Sequence, residues 1–386
     1  MGNRAAEVLI VGASTRGLTE SAARAGFRVH AVDAYGDLDL RARAATVTLG
    51  RDPGRPWASG AAVRVAAGVR APVVAYVSNL ENHPSAVARL ATGRQLWGNA
   101  AEVLRRVRDP FQVAAALRRR GFPVPMSVTA AELADDHRPW LLKPRRSGGG
   151  HGIRRWRPGE RVPRTKYLQE LIDGVPGSIT FVADGRRAVP LGLSLQLVGE
   201  HALGGSGFRY CGSLLCGGPP LFGQEATLAE SAAALATAVT ESFGLIGVNG
   251  IDFVARGGTP WLLEVNPRYC ASMELIERAH RLSIFELHAD ACGGRLPAES
   301  PFGLRLAEVP GKAIVYARGS VVVEPGPRWL DSGIRDVPHP GERIARGRPI
   351  CTVFAQGETA KACLAALAER AAGIYAVQTR TDRSAA

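Results

Sequence analysis

The sequence predicts an α/β domain followed by an antiparallel α+β body and a small β-rich C-terminal part. Three observations carry this. Residues 7–33 run strand, tight turn, helix, strand, which is a βαβ unit and so the start of a parallel sheet. From residue 124 short apolar runs alternate with turns such as Asp184-Gly185, as antiparallel hairpins require. After Gly293-Gly294 short β-type runs return between Pro/Gly turns.

The elements follow in order. Glu7 to Val11 is a strand, the turn through Gly17 opens an Ala-rich helix to Gly26, and Phe27 to Asp33 is the second strand. Apolar runs at 45–49 and 72–77 add strands to the same sheet. Leu96-Trp-Gly-Asn99 leads to helices at 100–107 and 110–120, closed by Gly121 and Pro123. Strands are expected at 139–143, 166–172, 178–183 and 187–198. A helix at 225–243 precedes a hairpin, Gly250 to Ala255 and Pro260 to Val265, turned at Arg256-Gly-Gly-Thr259. One helix is expected at about 272–292, strands at 311–317, 319–323 and 349–355, and a last helix at 358–371. The divisions are 1–95, 96–293, 294–375 and a polar tail at 376–386.

At 386 residues with 46% hydrophobic and 22% charged content, the chain can build more than one core and is not a disordered polymer. No apolar run approaches the roughly 18–20 residues of a membrane span, so no membrane partner is expected. Six scattered Cys without a secretion signal point to free thiols and a cytoplasmic location. Cys211 and Cys216 lack a second pair, which argues against zinc. The net charge of +13 is concentrated, with 16 Lys+Arg against 6 Asp+Glu over residues 101–166. Nucleic acid, nucleotide phosphates and plain solvation all suit such a segment. With few aromatics interleaved and no nucleic-acid motif, nucleotide phosphates are favoured and nucleic acid is not.

The chemistry concentrates in the second hairpin. Glu264 and Asn266, two residues apart on one strand, share a face. Asp252 on the preceding strand falls opposite Glu264 if the turn is odd in length, and one place diagonally if it is even. Acids are uncommon in strands this apolar, and two side by side repel unless a cation lies between them. Carboxylate and amide oxygens suit Mg2+ or Mn2+. The plain alternative is a pair of acids salt-bridged to Arg268.

A second feature is Trp140-Leu-Leu-Lys-Pro-Arg-Arg-Ser-Gly-Gly-Gly-His-Gly-Ile153. A strand delivers Lys143, one of four lysines in the chain, to a loop of Ser147, Gly148, Gly149, Gly150, His151 and Gly152. Glycines let backbone amides approach phosphate closely, although such a loop can also be merely flexible. A third is the strand through Gln169, Glu170, Leu171 and Ile172, which leaves into Gly174 to Gly177 and can offer backbone groups and apolar cover to an adenine.

In this order, these three features resemble the ATP-grasp superfamily, and Glu264-Val-Asn-Pro-Arg268 with its upstream Asp252 is the most specific part. Within it the chain is most similar to the predicted ATP-dependent carboligases, through Val11-Gly-Ala-Ser-Thr-Arg-Gly17, Glu81-Asn-His-Pro84 and the Gly-Gly-Gly-His-Gly flap. The resemblance implies a Rossmann-like preATP-grasp domain at 1–95 and a two-lobed ATP-grasp fold at 96–293, its small lobe at about 124–175. It implies ATP and Mg2+ (or Mn2+) as cofactors: Lys143 on the α/β-phosphates, the flap amides above the β/γ-phosphates, residues 169–172 at adenine, and Asp252, Glu264 and Asn266 on metal. Arg268 would steady a phosphorylated carboxylate that an amine then attacks, the two substrates being small molecules, glutamate or a cofactor precursor of the methanofuran or tetrahydromethanopterin type among them. A homodimer is one arrangement open to it.

Two departures stand out. Asp109-Pro-Phe-Gln112 lacks the second phosphate-binding lysine of many members, leaving an arginine of the 105–120 cluster to substitute, and only Asp173 stands near the place of a ribose-binding acid. Candidate substrate contacts are Ser14, Thr15 and Arg16 at the first helix, Glu81 and Asn82 after a strand, and Arg209; each also reads as ordinary turn structure. The rival readings are a carboxylase acting on bicarbonate, a nucleotide-binding regulator without turnover, and a dehydrogenase suggested by Gly12-x-Ser14-x-x-Gly17 with Asp33.

Overall fold

The computed structural model describes residues 6–50, 57–129, 138–324 and 329–384. The chain opens with β1 (Glu7–Val11), α1 (Arg16–Arg24), β2 (Arg28–Asp33), α2 (Leu38–Arg41), β3 (Thr46–Leu49), α3 (Ser59–Ala67), β4 (Val73–Tyr76), α4 (Pro84–Leu90) and β5 (Gln95–Trp97). The five strands are parallel, in the order β3-β2-β1-β4-β5. Four consecutive buried residues, Val8 to Val11, suit the central strand of a sheet covered on both faces. Leu9 and Val11 pack under α3 and α4, and Val8 and Ile10 under α1.

Helices α5 (Ala101–Val107) and α6 (Pro110–Arg118) connect to the body. Asp109 caps α6, accepting from the amides of Phe111 and Gln112 at 2.9 and 3.3 Å. Next come β6 (Ser127–Val128), β7 (Trp140–Pro144), β8 (Arg154–Arg155) and β9 (Lys166–Glu170), a four-stranded sheet in the order β6-β9-β7-β8. Beyond it lie β10 (Val175–Asp184), β11 (Ala188–Val198), β12 (Tyr210–Leu215), α7 (Glu225–Phe243), β13 (Ile246–Arg256), β14 (Thr259–Asn266), α8 (Met273–His280) and α9 (Ile284–Cys292). The chain closes with β15 (Val309–Tyr316), β16 (Val321–Val323), β17 (Glu342–Ile344), β18 (Pro349–Gly357) and α10 (Ala360–Ser384).

A seven-stranded antiparallel sheet, β14-β13-β10-β11-β12-β15-β18, organises this part. Its β12–β15 pairing carries the C-terminal strands on as a continuation of the larger lobe's sheet. Alternation along the strands assigns each face. Ile179, Phe181, Ile251 and Phe253 bury against Leu235 and Val239 of α7. On the opposite face Val182, Leu191 and Val248 lie under α8 and α9, while Ser178, Thr180, Gln196 and Asp252 are left lining an open cleft. Helix α9 also reaches the parallel sheet, where Phe285 packs edge-on against Phe27 with ring centroids 5.0 Å apart.

Two elements differ from expectation. The helix expected over 272–292 is two helices, broken where Arg281 turns to a φ of 53° and Ser283 caps α9 by accepting from the Glu286 amide at 3.1 Å. The last helix runs on to Ser384, through most of the segment expected as a polar tail. Among the described residues no helix is long and apolar enough to cross a membrane.

Candidate active site

The hairpin β13–β14 turns through two residues, Gly257 and Gly258, both left-handed with φ of 56° and 72°, as a tight right-twisted turn requires. Continued regularly, that register would set Asp252 opposite Leu263. A β-bulge between Asp252 and Phe253 takes up Leu263 as an extra residue, so Phe253 faces Leu262 and Asp252 faces Glu264. Leu262 thereby stays in the core, while Glu264 and Asn266 turn to the cleft beside Asp252.

Asp252 accepts from Gln196 Nε2 at 2.7 Å and from Asn266 Nδ2 at 2.9 Å. Burial and the neighbouring Glu264 push its carboxyl up to about 7. Burial opposes ionisation of Glu264 as well, but Arg108, Lys143 and Arg268 outweigh it and hold that carboxyl below the usual range. Two carboxylates and an amide form a hard oxygen set with adjacent negative charge, the chemistry a divalent cation relieves. Among the described residues no three of His, Cys, Asp and Glu are arranged to hold a metal. Phosphate oxygens would therefore have to complete the coordination. On that donor chemistry the residues fit Mg2+.

The glycine flap joins β7 to β8. Gly149, Gly150 and Gly152 have φ of 61°, 74° and 74°, which side chains rarely adopt. A Cβ on Gly150 would overlap the Phe208 carbonyl, and the Tyr210 amide donates to Gly149 O at 3.1 Å. The flap thus rests on the loop before β12. Ser147 donates to His151 O at 2.8 Å, and His151 is exposed. Lys143 is 6% exposed, and its Nζ donates to Gln169 Oε1 at 2.8 Å inside the cleft. The amides of Glu170 and Leu171 are already bound to the carbonyls of Met126 and Pro139, at 2.8 Å each. Those two N–H groups are thereby taken, and Leu171 and Ile172 line the cleft.

The arginine of the basic cluster that enters the cleft is Arg108. Its guanidinium donates to Val265 O at 2.6 Å, to Ser147 O at 3.1 Å and to Asn82 Oδ1 at 3.0 Å, and lies 3.7 Å from Glu264. One side chain thus spans the carboxylate strand and the root of the flap. Asn82 assists, donating to the same Ser147 carbonyl at 3.2 Å. Arg268 pairs with the fully buried Glu81 at 2.8 Å and donates to Asn266 Oδ1 at 3.3 Å. Burial lowers its proton affinity, yet Glu81 and other anions outweigh that and keep it firmly charged.

The remaining expected contacts are tied to internal partners. Thr15 donates through its amide and hydroxyl to Asp33 at 2.6 and 2.8 Å. Arg16 is held by Glu274 and by Asp336 at 2.9 Å. Arg209 donates to Gly347 O and stacks 4.9 Å from the Tyr316 ring. These three act as braces, and of the first turn only Ser14 is exposed toward the cleft. Gln196 was not anticipated. Its signal lay in β11, where Ser194 and Gln196 alternate with leucines and so mark the cleft face of that strand. Asn99 explains the Leu96-to-Asn99 run: its side chain ties to Asn249 at 2.8 Å and to Pro267 O at 3.1 Å, anchoring the end of β14.

A parallel-sheet domain, a small four-stranded lobe bearing a glycine flap and a large antiparallel lobe bearing paired acids together define the ATP-grasp architecture. Residues 107–272 match the family model of the ATP-grasp domain. Similar solved structures include pyruvate carboxylase from Rhizobium etli (TM-score 0.72, 18% identity, 96% of this chain and 37% of that one). L-amino acid ligase from Bacillus licheniformis has a TM-score of 0.69 and 16% identity over 95% and 97% of the two chains. N5-carboxyaminoimidazole ribonucleotide synthetase from Thermus thermophilus gives 0.65 and 21% over 92% and 95%. At these identities the likeness is one of fold. An uncharacterized protein of Methanocaldococcus jannaschii is 28% identical over 118 residues, 31% of this chain and 28% of that relative's length.

Proposed function

We propose that the protein is an ADP-forming ligase that activates a carboxylate with ATP and joins it to an amine. The supporting observation is the reach of Arg108 from Glu264 to Ser147, which sets the flap root and the paired acids within the span of one guanidinium. Lys143 and Arg108 would face the nucleotide phosphates with the flap amides, and Asp252, Glu264 and Asn266 would hold Mg2+, whose charge offsets that of the phosphates. Arg268, fixed by Glu81, would stand at the reacting carboxylate and stabilise the charge on its phosphorylated form. A flap closed over bound nucleotide would exclude water, which protects an acyl phosphate from hydrolysis until the amine attacks and inorganic phosphate leaves.

Bicarbonate as the activated carboxylate is the second reading, because the similar structures include a biotin carboxylase domain with MgADP and bicarbonate as well as an amino acid ligase, at TM-scores of 0.68 and 0.69. The test is ADP release with Mg2+ over a panel of amino acids and amines, with a bicarbonate-only arm. ADP that requires both a carboxylate and an amine supports the ligase. ADP with bicarbonate alone supports the carboxylase, and ADP production undiminished in Glu264→Gln would overturn the metal assignment.

A further inference from the structure

Asp37, in the loop after β2, is 7% exposed and lines the same cleft. Its neighbours are other acids, Asp33, Asp39, Asp336 and Glu342. Each of those has donors. Asp33 accepts from Thr15 and from the amides of Tyr35 and Gly36 at 2.7 and 2.8 Å. Asp39 accepts the amides of Asp336 and Val337 at 2.8 and 3.0 Å. Asp336 holds Arg16 and takes the Thr352 hydroxyl at 2.5 Å, and Glu342 accepts the His339 amide at 3.2 Å. The Asp37 carboxylate has no hydrogen bond or ion pair among the described residues.

A carboxylate so buried and so surrounded is costly unless a cation faces it. Burial and the four acids push Asp37 well above the usual carboxylate range. The nearby protein cations do not serve: Arg41, four residues on, is turned to the Gly36 carbonyl at 2.8 Å. Arg16 is shared among Glu20, Asp39, Glu274 and Asp336, and Lys312 is bound to Glu274 at 2.7 Å. Arg343 and Arg348 sit exposed at the cleft rim and make no ion pair with Asp37. Ala34, Tyr35, Pro338 and Ile344 add a largely apolar wall around it.

We propose that this end of the cleft binds a cationic amine on an apolar body, with Asp37 as its counter-ion. The identity of that amine as the acceptor rests on the ligase reading; the site itself does not. The cleft, about 1570 Å³, runs unbroken from Asp37 past Ser14 to Arg268 and Glu264, so an amine held here shares one enclosure with the activated carboxylate.

The test uses the full chain without ATP, with butylamine and phenethylamine as probes against 1-butanol and 2-phenylethanol. Calorimetric titration should show saturable binding of the amines and none of the alcohols. In Asp37→Asn, amine Kd should weaken at least about tenfold, the scale of one charge-assisted contact, while ATP binding persists. Asp37→Glu should keep the preference for amine over alcohol. Equal binding of amines and alcohols, unchanged amine binding in Asp37→Asn, or loss of ATP binding together with amine binding would each overturn the proposal. ADP release is scored separately: amine binding without amine-dependent ADP would sink the ligase reading and leave the site standing.

Discussion

Arg16 and Arg268 are both buried arginines paired with a glutamate, and the difference between them separates fold from function. Arg16, 2% exposed, directs its guanidinium nitrogens at Glu20, Glu274 and Asp336, joining α1, α8 and the loop before β17. Its charge is met from every side. Arg268 has Glu81, Asn266 and the Tyr269 carbonyl, but its buried Nε lacks a partner and it borders the cleft. A saturated buried network holds elements together, whereas an unsaturated one at a cleft is arranged for charge that arrives with a ligand.

Breaking the saturated side should have the largest effect. Arg16→Ala leaves Glu274 and Asp336 buried without their main counter-ion, at a cost of about 3–5 kcal/mol in stability; urea unfolding measures it, and a loss below about 1 kcal/mol would show the cluster to be wetter than it looks. Glu264→Gln acts on the other side: ADP release should fall about 10³-fold, the scale of a preorganised electrostatic group, with melting temperature modestly lowered because Arg108, Lys143 and Arg268 lose the anion they stabilise. Arg108→Met should lower kcat/KM for ATP about 10²-fold through a misplaced flap and raise proteolysis near Ser147, which limited trypsin digestion would reveal.

The smallest effect separates the clusters by pH. Burial alone would raise Glu274, but Arg16 and Lys312 outweigh it and hold its carboxyl well below the ordinary value of 4.5. A depressed acid gives stability that is fully present above its unfolded pKa and is lost as pH falls through the folded one. Melting temperature should therefore drop below pH 4.5 in the parent protein, and the drop should be shallower in Arg16→Met. Identical slopes would remove Glu274 from the cause.

Legibility followed sequence separation. The hairpin acids, the flap glycines and Lys143 are local patterns, and the structure brings them to one cleft. The break at Arg281 was legible too, since Ser283-x-x-Glu286 is a capping-box spacing within the stretch read as one helix. Arg16 was not. In the sequence it is a turn residue beside Ser14, and nothing local says that Glu274 and Asp336, 258 and 320 positions away, close around it. The facing of Asp252 and Glu264 was open for a related reason: it depends on a bulge, which alternation of apolar residues does not encode.

That bulge has a practical corollary. Because Leu263 resets the alternation between Gly257-Gly258 and Glu264, the hairpin tip and the chemistry are decoupled. Residues spliced in at the tip would lengthen a surface loop without rotating either acid, so it offers a tagging position remote from catalysis. Deleting Leu263 instead would keep the loop intact and remove the bulge, leaving Glu264 opposite Asp252 in an unbroken ladder.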